Sequence, residues 1–410
     1  MMSSLSSKIL VINTGSSSLK FQLIEMYEER SIIRGTCERI GEEMGHIEYN
    51  KKGRIWNIDV PMANHREAFA IIKKMLVEGE TRGVKSIDEI AGIGHRAVQG
   101  GEKYVEATLI TQDVKDAITE MIPIAPIHNR ATLSGFEAAE EAFGDEIPQV
   151  AVFDNAFHNT MKPEAYIYAL PYEFYTDYKI RKYGYHGASH RYVTERLREL
   201  YPAYRRVISC HLGNGASLCA VLDGKCVDTT MGLTPLGGIM MGTRCGNIDP
   251  AIIPYLQNTT GMTADEIDYI MNNKSGLLGL SGVSSDLRDV EAAAAEGNYR
   301  AKIALDLFVY TAATYIAAVT VSLGGLDAII FTAGIGENDP GMRKMICERL
   351  KHFGVEIDDE INNKVRRREC SIASLNSKVG IFVIPTNEEL VVARDTYKLV
   401  RSLKDDDLDD

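Results

Sequence analysis

The chain of 410 residues holds one tryptophan, seven cysteines without a C-x-x-C pair, and no G-x-x-x-x-G-K-[S/T] string. The missing Walker A string excludes a P-loop NTPase. An odd cysteine count without paired spacing speaks against a disulfide framework and fits the reduced thiols of a cytoplasmic protein. Cys210 and Cys219 flank a glycine-rich turn beside His211, but no second ligand pair stands at zinc spacing, so no zinc site is expected there. Positive charge is also short. Against 57 Asp and Glu there are 45 Lys and Arg, a formal net charge of -12. That balance excludes broad nucleic-acid binding, which needs basic surface to displace counterions, yet it leaves room for a locally basic pocket. Long apolar runs are lacking too. The most apolar stretch, residues 315–331, is cut by Thr320, Ser322, Gly324, Gly325 and Asp327, and it reads as a buried helix running into a buried strand, not a membrane span. Residues 1–7 are polar and the apolar run from Ile9 to Ile12 stops at Asn13-Thr14-Gly15, so no signal peptide is expected.

What is present is ordinary in bulk: 45% hydrophobic and 25% charged residues, as in soluble globular proteins, with a length that suggests two or three domains. Short strand-like runs come first: Ile9 to Ile12, Leu19 to Leu23, and an alternation from Ile55 to Val60. They predict an antiparallel or mixed sheet with one buried face. Helical spacing follows at residues 64–78, 111–121 and 129–143, then an apolar strand at 149–153 ending at Asp154. A second unit begins there. Its pattern predicts helices at 189–200, 250–257, 264–271, 287–296 and 299–322, strands at 206–211, 218–222, 328–332 and 380–384, and a last helix over 388–403. Two strings echo each other: Val11-Ile-Asn-Thr-Gly-Ser-Ser-Ser-Leu-Lys-Phe and Cys210-His-Leu-Gly-Asn-Gly-Ala-Ser-Leu-Cys-Ala. Each is a strand, a small-residue turn and a second strand. The pair suggests duplicated domains, with chance similarity of hairpins as the alternative.

Several strings admit a chemical and a plain reading. Asn13-Thr14-Gly15-Ser16-Ser17-Ser18-Leu19-Lys20 concentrates small donors and a lysine suited to phosphate, or it is a simple hairpin turn. His211-Leu212-Gly213-Asn214-Gly215 is a second phosphate clamp or an Asn-Gly turn. Ala333-Gly334-Ile335-Gly336-Glu337-Asn338, after a buried strand, lets a base or ribose lie against backbone, or merely joins strand to helix. Gly92-Ile93-Gly94-His95-Arg96-Ala97 matches G-x-G-x-x-A weakly, since Gly100-Gly101 leaves no room for the helix a dinucleotide site needs. Arg96 and Arg244, set among glycines, are either surface residues or the guanidinium groups that bind a carboxylate and a transferring phosphoryl group. Asp154 stands at a strand end, where ligands gather in α/β folds or where a cap forms. Glu388 reaches a magnesium ion or simply sits in a helix first turn. His186 and His190 lack the glutamate of H-E-x-x-H, and Gly187 opposes a helix, so a metal pair is not expected; His186 and His128 are substrate donors or structural residues.

Taken in order, Asn13 to Lys20, Gly94-His95-Arg96, Tyr183-Gly-Tyr-His-Gly-Ala-Ser-His, His211 to Gly215, Met241-Gly-Thr-Arg and Thr332-Ala-Gly-Ile-Gly-Glu-Asn resemble the acetate kinase family, over about Lys8 to Lys398. The resemblance implies the α/β fold of the sugar kinase, heat-shock ATPase and actin superfamily: two duplicated domains, each a ribonuclease H-like mixed sheet flanked by helices, with a nucleotide cleft between them. It implies domains at 1–154 plus 389–410, the last helix packing back, and at 155–388. The implied reaction is reversible transfer of the ATP γ-phosphoryl group to acetate, giving acetyl phosphate and ADP, with Mg2+ replaceable by Mn2+. Residue by residue, it assigns Asn13 and Glu388 to the metal, Lys20 to the nucleotide site, and His211 to Gly215 (with Leu212, Gly213 and Asn214) to the nucleotide phosphates. Asp286, Leu287, Arg288, Gly334, Ile335, Gly336, Glu337 and Asn338 would hold the adenosine end. Arg96, Arg244, His186 and the carboxylate of Asp154 would be catalytic. Val98, Ile127, His128, Tyr185 and Pro235 would, with Arg96, enclose the acyl group. A cytoplasmic homodimer is implied, with no nucleic-acid or membrane partner. Ile127 and Tyr185 stand where Leu and Phe are usual, Gln99 where His is common, and Gly237 and Cys245 replace a frequent Glu and Ser. One methylene in an apolar pocket is worth only about 1–3 kcal/mol, so a propionate or butyrate kinase on the same scaffold stays an alternative, as does a non-metabolic ATPase module of the same superfamily.

Overall fold

A computed structural model describes residues 6–144 and 146–406; at Ile127, Lys404 and Asp406 it describes the backbone alone. The chain divides into two compact units, Met1–Ala156 with Asn387–Asp410, and Phe157–Thr386.

The first unit holds an eight-stranded sheet. Its strands are β1 (Lys8–Thr14), β2 (Leu19–Glu25), β3 (Arg30–Glu38), β4 (Gly45–Lys51), β5 (Arg54–Val60), β6 (Ile90–Ala97), β7 (Thr108–Leu109) and β8 (Gln149–Phe153). Their order is β5-β4-β3-β2-β1-β6-β8-β7. The meander β1 to β5 is antiparallel, whereas β1, β6 and β8 run parallel. Parallel strands are covered on both faces, which is why β1, β6 and β8 are apolar runs without alternation. β3 and β4 escape a sequence reading because only Ile33, Cys37, Ile47 and Tyr49 on their inner face are fully buried among charged neighbours. On one face Leu10, Ile12 and Leu19 pack with Phe69 and Ile72 of the helix His65–Val77 and with Ala139 and Phe143 of the helix Pro126–Phe143.

The last helix, Glu388–Asp406, packs on β1, β6 and β8. This contact explains the weak G-x-G-x-x-A match. A Cβ on Gly94 would lie 2.2 Å from Thr396 Oγ1, and one on Gly92 would lie 2.9 Å from Val400 Cγ2. The two glycines let a helix approach a strand; the string itself is β6.

The second unit holds β9 (Arg206–Leu212), β10 (Ala216–Leu222), β11 (Lys225–Thr229), β12 (Ala328–Thr332), β13 (Cys370–Ser371) and β14 (Gly380–Val383), in the order β11-β10-β9-β12-β14-β13. β9 is antiparallel to β10 and parallel to β12, and β12 is parallel to β14. The run β3-β2-β1-β6-β8 has the same senses as β11-β10-β9-β12-β14, so the echo of hairpins extends to whole sheets. The helix Tyr299–Leu323 is long and apolar enough to cross a membrane. Phe308, Ala312, Ile316, Val319 and Leu323 are nonetheless buried along it, and it packs on β9, β10 and β11.

One local expectation is corrected. Gly187 does not oppose a helix: the helix Gly187–Leu200 begins there, with His186 as its N-cap in the left-handed region at φ 57°. Glycine at the first position is tolerated because that residue lies at the helix end, where half of the backbone bonds are missing anyway.

Candidate active site

In the first unit the site is built on the carboxyl ends of neighbouring parallel strands. Arg96 is paired in register with Val152 on β8, and Asp154 follows β8 directly. Arg96 Nη2 donates to Asp154 Oδ2 at 2.6 Å and Nε to the same oxygen at 3.1 Å, a two-pronged contact. Arg96 Nη1 also lies 3.0 Å from Glu388 Oε2, at the start of the last helix. One guanidinium thus holds two carboxylates, and Asp154 is only 3% exposed. Burial works against the charge on Arg96, but Asp154 and Glu388 outweigh it and raise its pKa. Burial pushes the Glu388 carboxyl up; Arg96 and Lys20 oppose the rise, Asp154 adds to it, and the net direction is upward.

The surroundings of Arg96 are fixed by amides. Asn155 Oδ1 accepts from Gly100 N at 3.0 Å and its Nδ2 donates to the Gly101 carbonyl at 2.7 Å. Asn129 Nδ2 donates to the Gln99 carbonyl at 3.1 Å, and buried Gln99 caps Gly101 N at 3.0 Å. Half-buried Val98 rides on this loop. Ile127 and His128 lie at the start of the helix Pro126–Phe143; the Ile127 side chain is outside the described residues. Asn13, next to the last residue of β1, is the register partner of Lys20 of β2, and Lys20 is exposed there. The turn between them is tied by Gly15 N to the Ser18 carbonyl at 2.8 Å and by His65 Nε2 to the Gly15 carbonyl at 2.9 Å.

In the second unit the β9–β10 turn gathers a different set. The His186 and His211 rings stack, with centroids 4.1 Å apart and planes 17° from parallel. Serines position them: Ser189 Oγ meets His211 Nδ1 at 2.8 Å, and Ser217 Oγ meets His186 Nδ1 at 2.9 Å and His190 Nε2 at 2.8 Å. Burial holds the His190 pKa well below its ordinary value, reinforced by His158 and His211, so His190 is a neutral support. A Cβ on Gly215 would sit 3.5 Å from His186 Nε2 and 3.6 Å from Arg244 Nη1, which places both polar heads at the turn. The loop of Arg244 is anchored there too, because Gly242 N donates to the Asn214 carbonyl at 2.9 Å.

Arg244 differs from Arg96. Its guanidinium contacts the Pro235 carbonyl at 3.3 Å and the Met241 sulfur at 4.0 Å, with no carboxylate among the described residues. Burial lowers its pKa, with Tyr185 opposing slightly. Tyr185 is buried and its hydroxyl donates to the Leu233 carbonyl at 2.6 Å; half-buried Pro235 is two residues further along the chain.

Beside the turn lies a cavity of about 720 Å³, lined by Gly213 and Asn214, by Ser285 to Arg288 and Glu291, by Gly334, Ile335 and Asn338 to Gly341, and by Arg366. Asp286 caps the helix Leu287–Ala295 and pairs with Arg288 at 2.6 Å. A Cβ on Gly334 would meet nothing within 4 Å, so backbone is open to a ligand there. Ser285, Glu291, Asp339, Pro340 and Gly341 carry no motif of their own in the sequence, and Arg366 is marked there only by the basic run Arg366-Arg367-Arg368.

Five expected nucleotide contacts of this unit, His211, Leu212, Gly215, Gly336 and Glu337, do not line this cavity. Leu212 is fully buried in β9, and His211 faces its serine. The Gly336 carbonyl accepts from Arg343 Nη1 at 2.9 Å. Glu337 is buried, its Oε1 accepting from Ala333 N at 2.9 Å and Thr386 N at 3.1 Å. It holds the strained Ala333, at φ 64°, which opens the glycine-rich turn.

The comparisons agree across the chain. The Acetokinase family model matches residues 8–394. An acetate kinase of Treponema denticola is 51% identical over 96% of this chain and 100% of its own length, and one of Clostridium botulinum is 49% identical over 96% and 99%. Among solved structures, the Porphyromonas gingivalis acetate kinase superposes with a TM-score of 0.91 at 39% identity, covering 96% of this chain and 100% of that one. A propionate kinase from Francisella tularensis gives 0.90 at 41% identity, covering 96% and 99%. With its motifs in order, its two mixed sheets flanked by helices and matches along nearly its whole length, the chain belongs to the acetokinase family.

Proposed function

We propose that this kinase transfers the γ-phosphoryl group of ATP directly to the carboxylate of acetate, reversibly, giving acetyl phosphate and ADP. The observation that carries the reading is Arg244, a partly buried cation without a carboxylate partner among the described residues, beside the Gly213–Gly215 backbone and a nucleotide-sized cavity. Such a charge is stabilised by an arriving anion. The acceptor is taken from the names of the relatives at about half identity.

A carboxylate is ionised at neutral pH and needs no general base. Asp154 therefore acts as an orienting partner: it fixes the Arg96 guanidinium, whose outer edge binds the acceptor or the transferring oxygens. Arg244 offsets charge on the phosphoryl group, and His186 donates to it. The Gly213–Gly215 turn meets the phosphates, while Asp286 to Arg288, Gly334, Ile335 and Asn338 hold the adenosine end. Val98, Ile127, His128, Tyr185 and Pro235 select a short acyl chain. Asn13 and Glu388 offer an amide and a carboxylate oxygen, a hard donor set that fits Mg2+, or Mn2+, with water and phosphate completing the shell. The ion would offset phosphate charge. The same reading makes the enzyme a cytoplasmic homodimer built of domains 1–154 plus 389–410 and 155–388; light scattering tests the dimer.

Acyl phosphate trapped as hydroxamate, measured across acetate, propionate, butyrate and glycerol with Mg-ATP, tests the function. Acetate is expected to give the highest kcat/KM. Higher kcat/KM on propionate would transfer the reading to the activity named for the Francisella relative, and turnover on glycerol alone would end it.

The cavity adds a pH effect. Burial and the neighbouring Asp339 push the Glu291 carboxyl up to about 7. The folded chain keeps a proton there that the unfolded chain, at 4.5, has lost, so this group's contribution to stability falls as pH rises from 4.5 to about 7. Above that range its charge faces an anionic ligand. ADP affinity is expected to weaken as pH climbs through 7, and Glu291→Gln to flatten the dependence. Equal slopes for both proteins in calorimetric titrations would refute the placement.

A further inference from the structure

Three donors of softer chemistry meet away from the nucleotide cavity. His158 lies in the turn Asp154–Thr160, Cys219 on β10 and Cys226 on β11. All three are 0% exposed. Their ligand atoms form a small triangle: His158 Nδ1 to Cys226 Sγ is 3.2 Å, Cys219 Sγ to Cys226 Sγ is 3.5 Å, and His158 Nδ1 to Cys219 Sγ is 3.9 Å. Local structure explains the meeting. Val221 is the register partner of Cys226, and Cys219 stands two residues away on the same face, so the thiols are diagonal neighbours.

The imidazole is oriented for the task. Its Nε2 lies 3.0 Å from the Tyr185 carbonyl, which can only accept. Nε2 therefore carries the proton, and Nδ1 turns a lone pair toward both sulfurs. Metal-bound histidines are commonly held in this way, the second nitrogen donating to a carbonyl.

We propose that His158, Cys219 and Cys226 form a structural site for zinc(II). Bond lengths of about 2.3 Å to sulfur and 2.0–2.1 Å to nitrogen give a tetrahedral ion ligand-to-ligand spans of roughly 3.6–3.8 Å. The three observed separations scatter about that span. The main-chain carbonyl of Asp228 lies 3.5 Å from Cys226 Sγ, and this oxygen or a water would complete the four ligands. Binding releases the two thiol protons to solvent, and two thiolates with a neutral imidazole cancel the charge of the ion, so the buried site stays neutral overall. The ion would fasten the β10–β11 hairpin to the His158 turn. Through His158 it would also bear on the backbone that carries Tyr185.

The test uses the full chain, reduced and stripped with a chelator. Zinc(II) is titrated against a chromophoric chelator, and cobalt(II) serves as the spectroscopic probe. One equivalent is expected to bind, with cobalt–thiolate charge-transfer absorption that oxygen-only magnesium ligands cannot give, and with a rise in Tm. Cys219→Ser and Cys226→Ser change little in volume and are expected to stay folded by circular dichroism. Each is expected to weaken zinc(II) binding by more than the roughly 10–100-fold typical of an outer partner. Cys370→Ser, at a thiol outside the cluster, is expected to bind as the parent does. Absence of the cobalt–thiolate bands, or unchanged zinc affinity in either cluster variant, overturns the proposal.

Discussion

Arg244→Ala is expected to remove about 10³-fold or more of kcat while leaving the Tm unchanged or raising it. The rate loss follows from the scale of arginine contributions to phosphoryl transfer, on the order of 10³–10⁵. The stability follows from the contacts. Arg244 makes one hydrogen bond to a carbonyl, at 3.3 Å, and burial depresses its pKa, so the folded chain holds a cation it has not neutralised. Truncation removes that cost and leaves no opposite charge stranded. Stability gained where activity is lost is the signature of a residue kept for its ligand. Hydroxamate kinetics and a thermal melt of the same preparation read both quantities. A large fall in Tm with kcat lost in proportion to unfolded protein would make Arg244 a structural residue.

Arg96→Ala is expected to lose activity on the same scale and to lose stability with it. Here the guanidinium lies between Asp154 and Glu388, and its removal strands two carboxylates in a buried setting. Breaking a buried ion pair from one side costs about 3–5 kcal/mol, against a total near 5–15 kcal/mol for a typical domain. The double variant Arg96→Ala with Asp154→Asn removes one stranded charge. It is expected to recover part of the Tm and none of the kcat. Denaturant melts of the single and double variants, run beside the kinetics, make the separation. A single variant as stable as the parent would show that the pairs contribute nothing, and recovered turnover in the double variant would remove Arg96 from the chemistry. The two arginines, read alike from sequence, are thus expected to behave oppositely in stability.

Much was legible in the chain because it is local. The small-residue turns at Asn13 to Ser18 and Gly213 to Gly215 advertise themselves by backbone demands that few residues meet. The covered strands β1, β8, β9 and β12 announce themselves as apolar runs, and the helix Tyr299–Leu323 by its length. The ordered motifs were enough to name the family, since each is a short-range constraint readable within a few residues.

What the tertiary structure alone decided concerns partners that are distant along the chain. Nothing in Gly92-Ile93-Gly94 says that Thr396 and Val400 will pack against it, and nothing near Glu337 says that its carboxylate will cap Ala333 and Thr386 instead of meeting a ligand. Arg96 and Arg244 look equivalent until β8 and the last helix bring carboxylates to the first and leave the second with a carbonyl. Strand order and helix docking are set by the burial of whole apolar faces, a sum over many residues. The chemistry of a single side chain depends on whichever neighbours that sum happens to deliver.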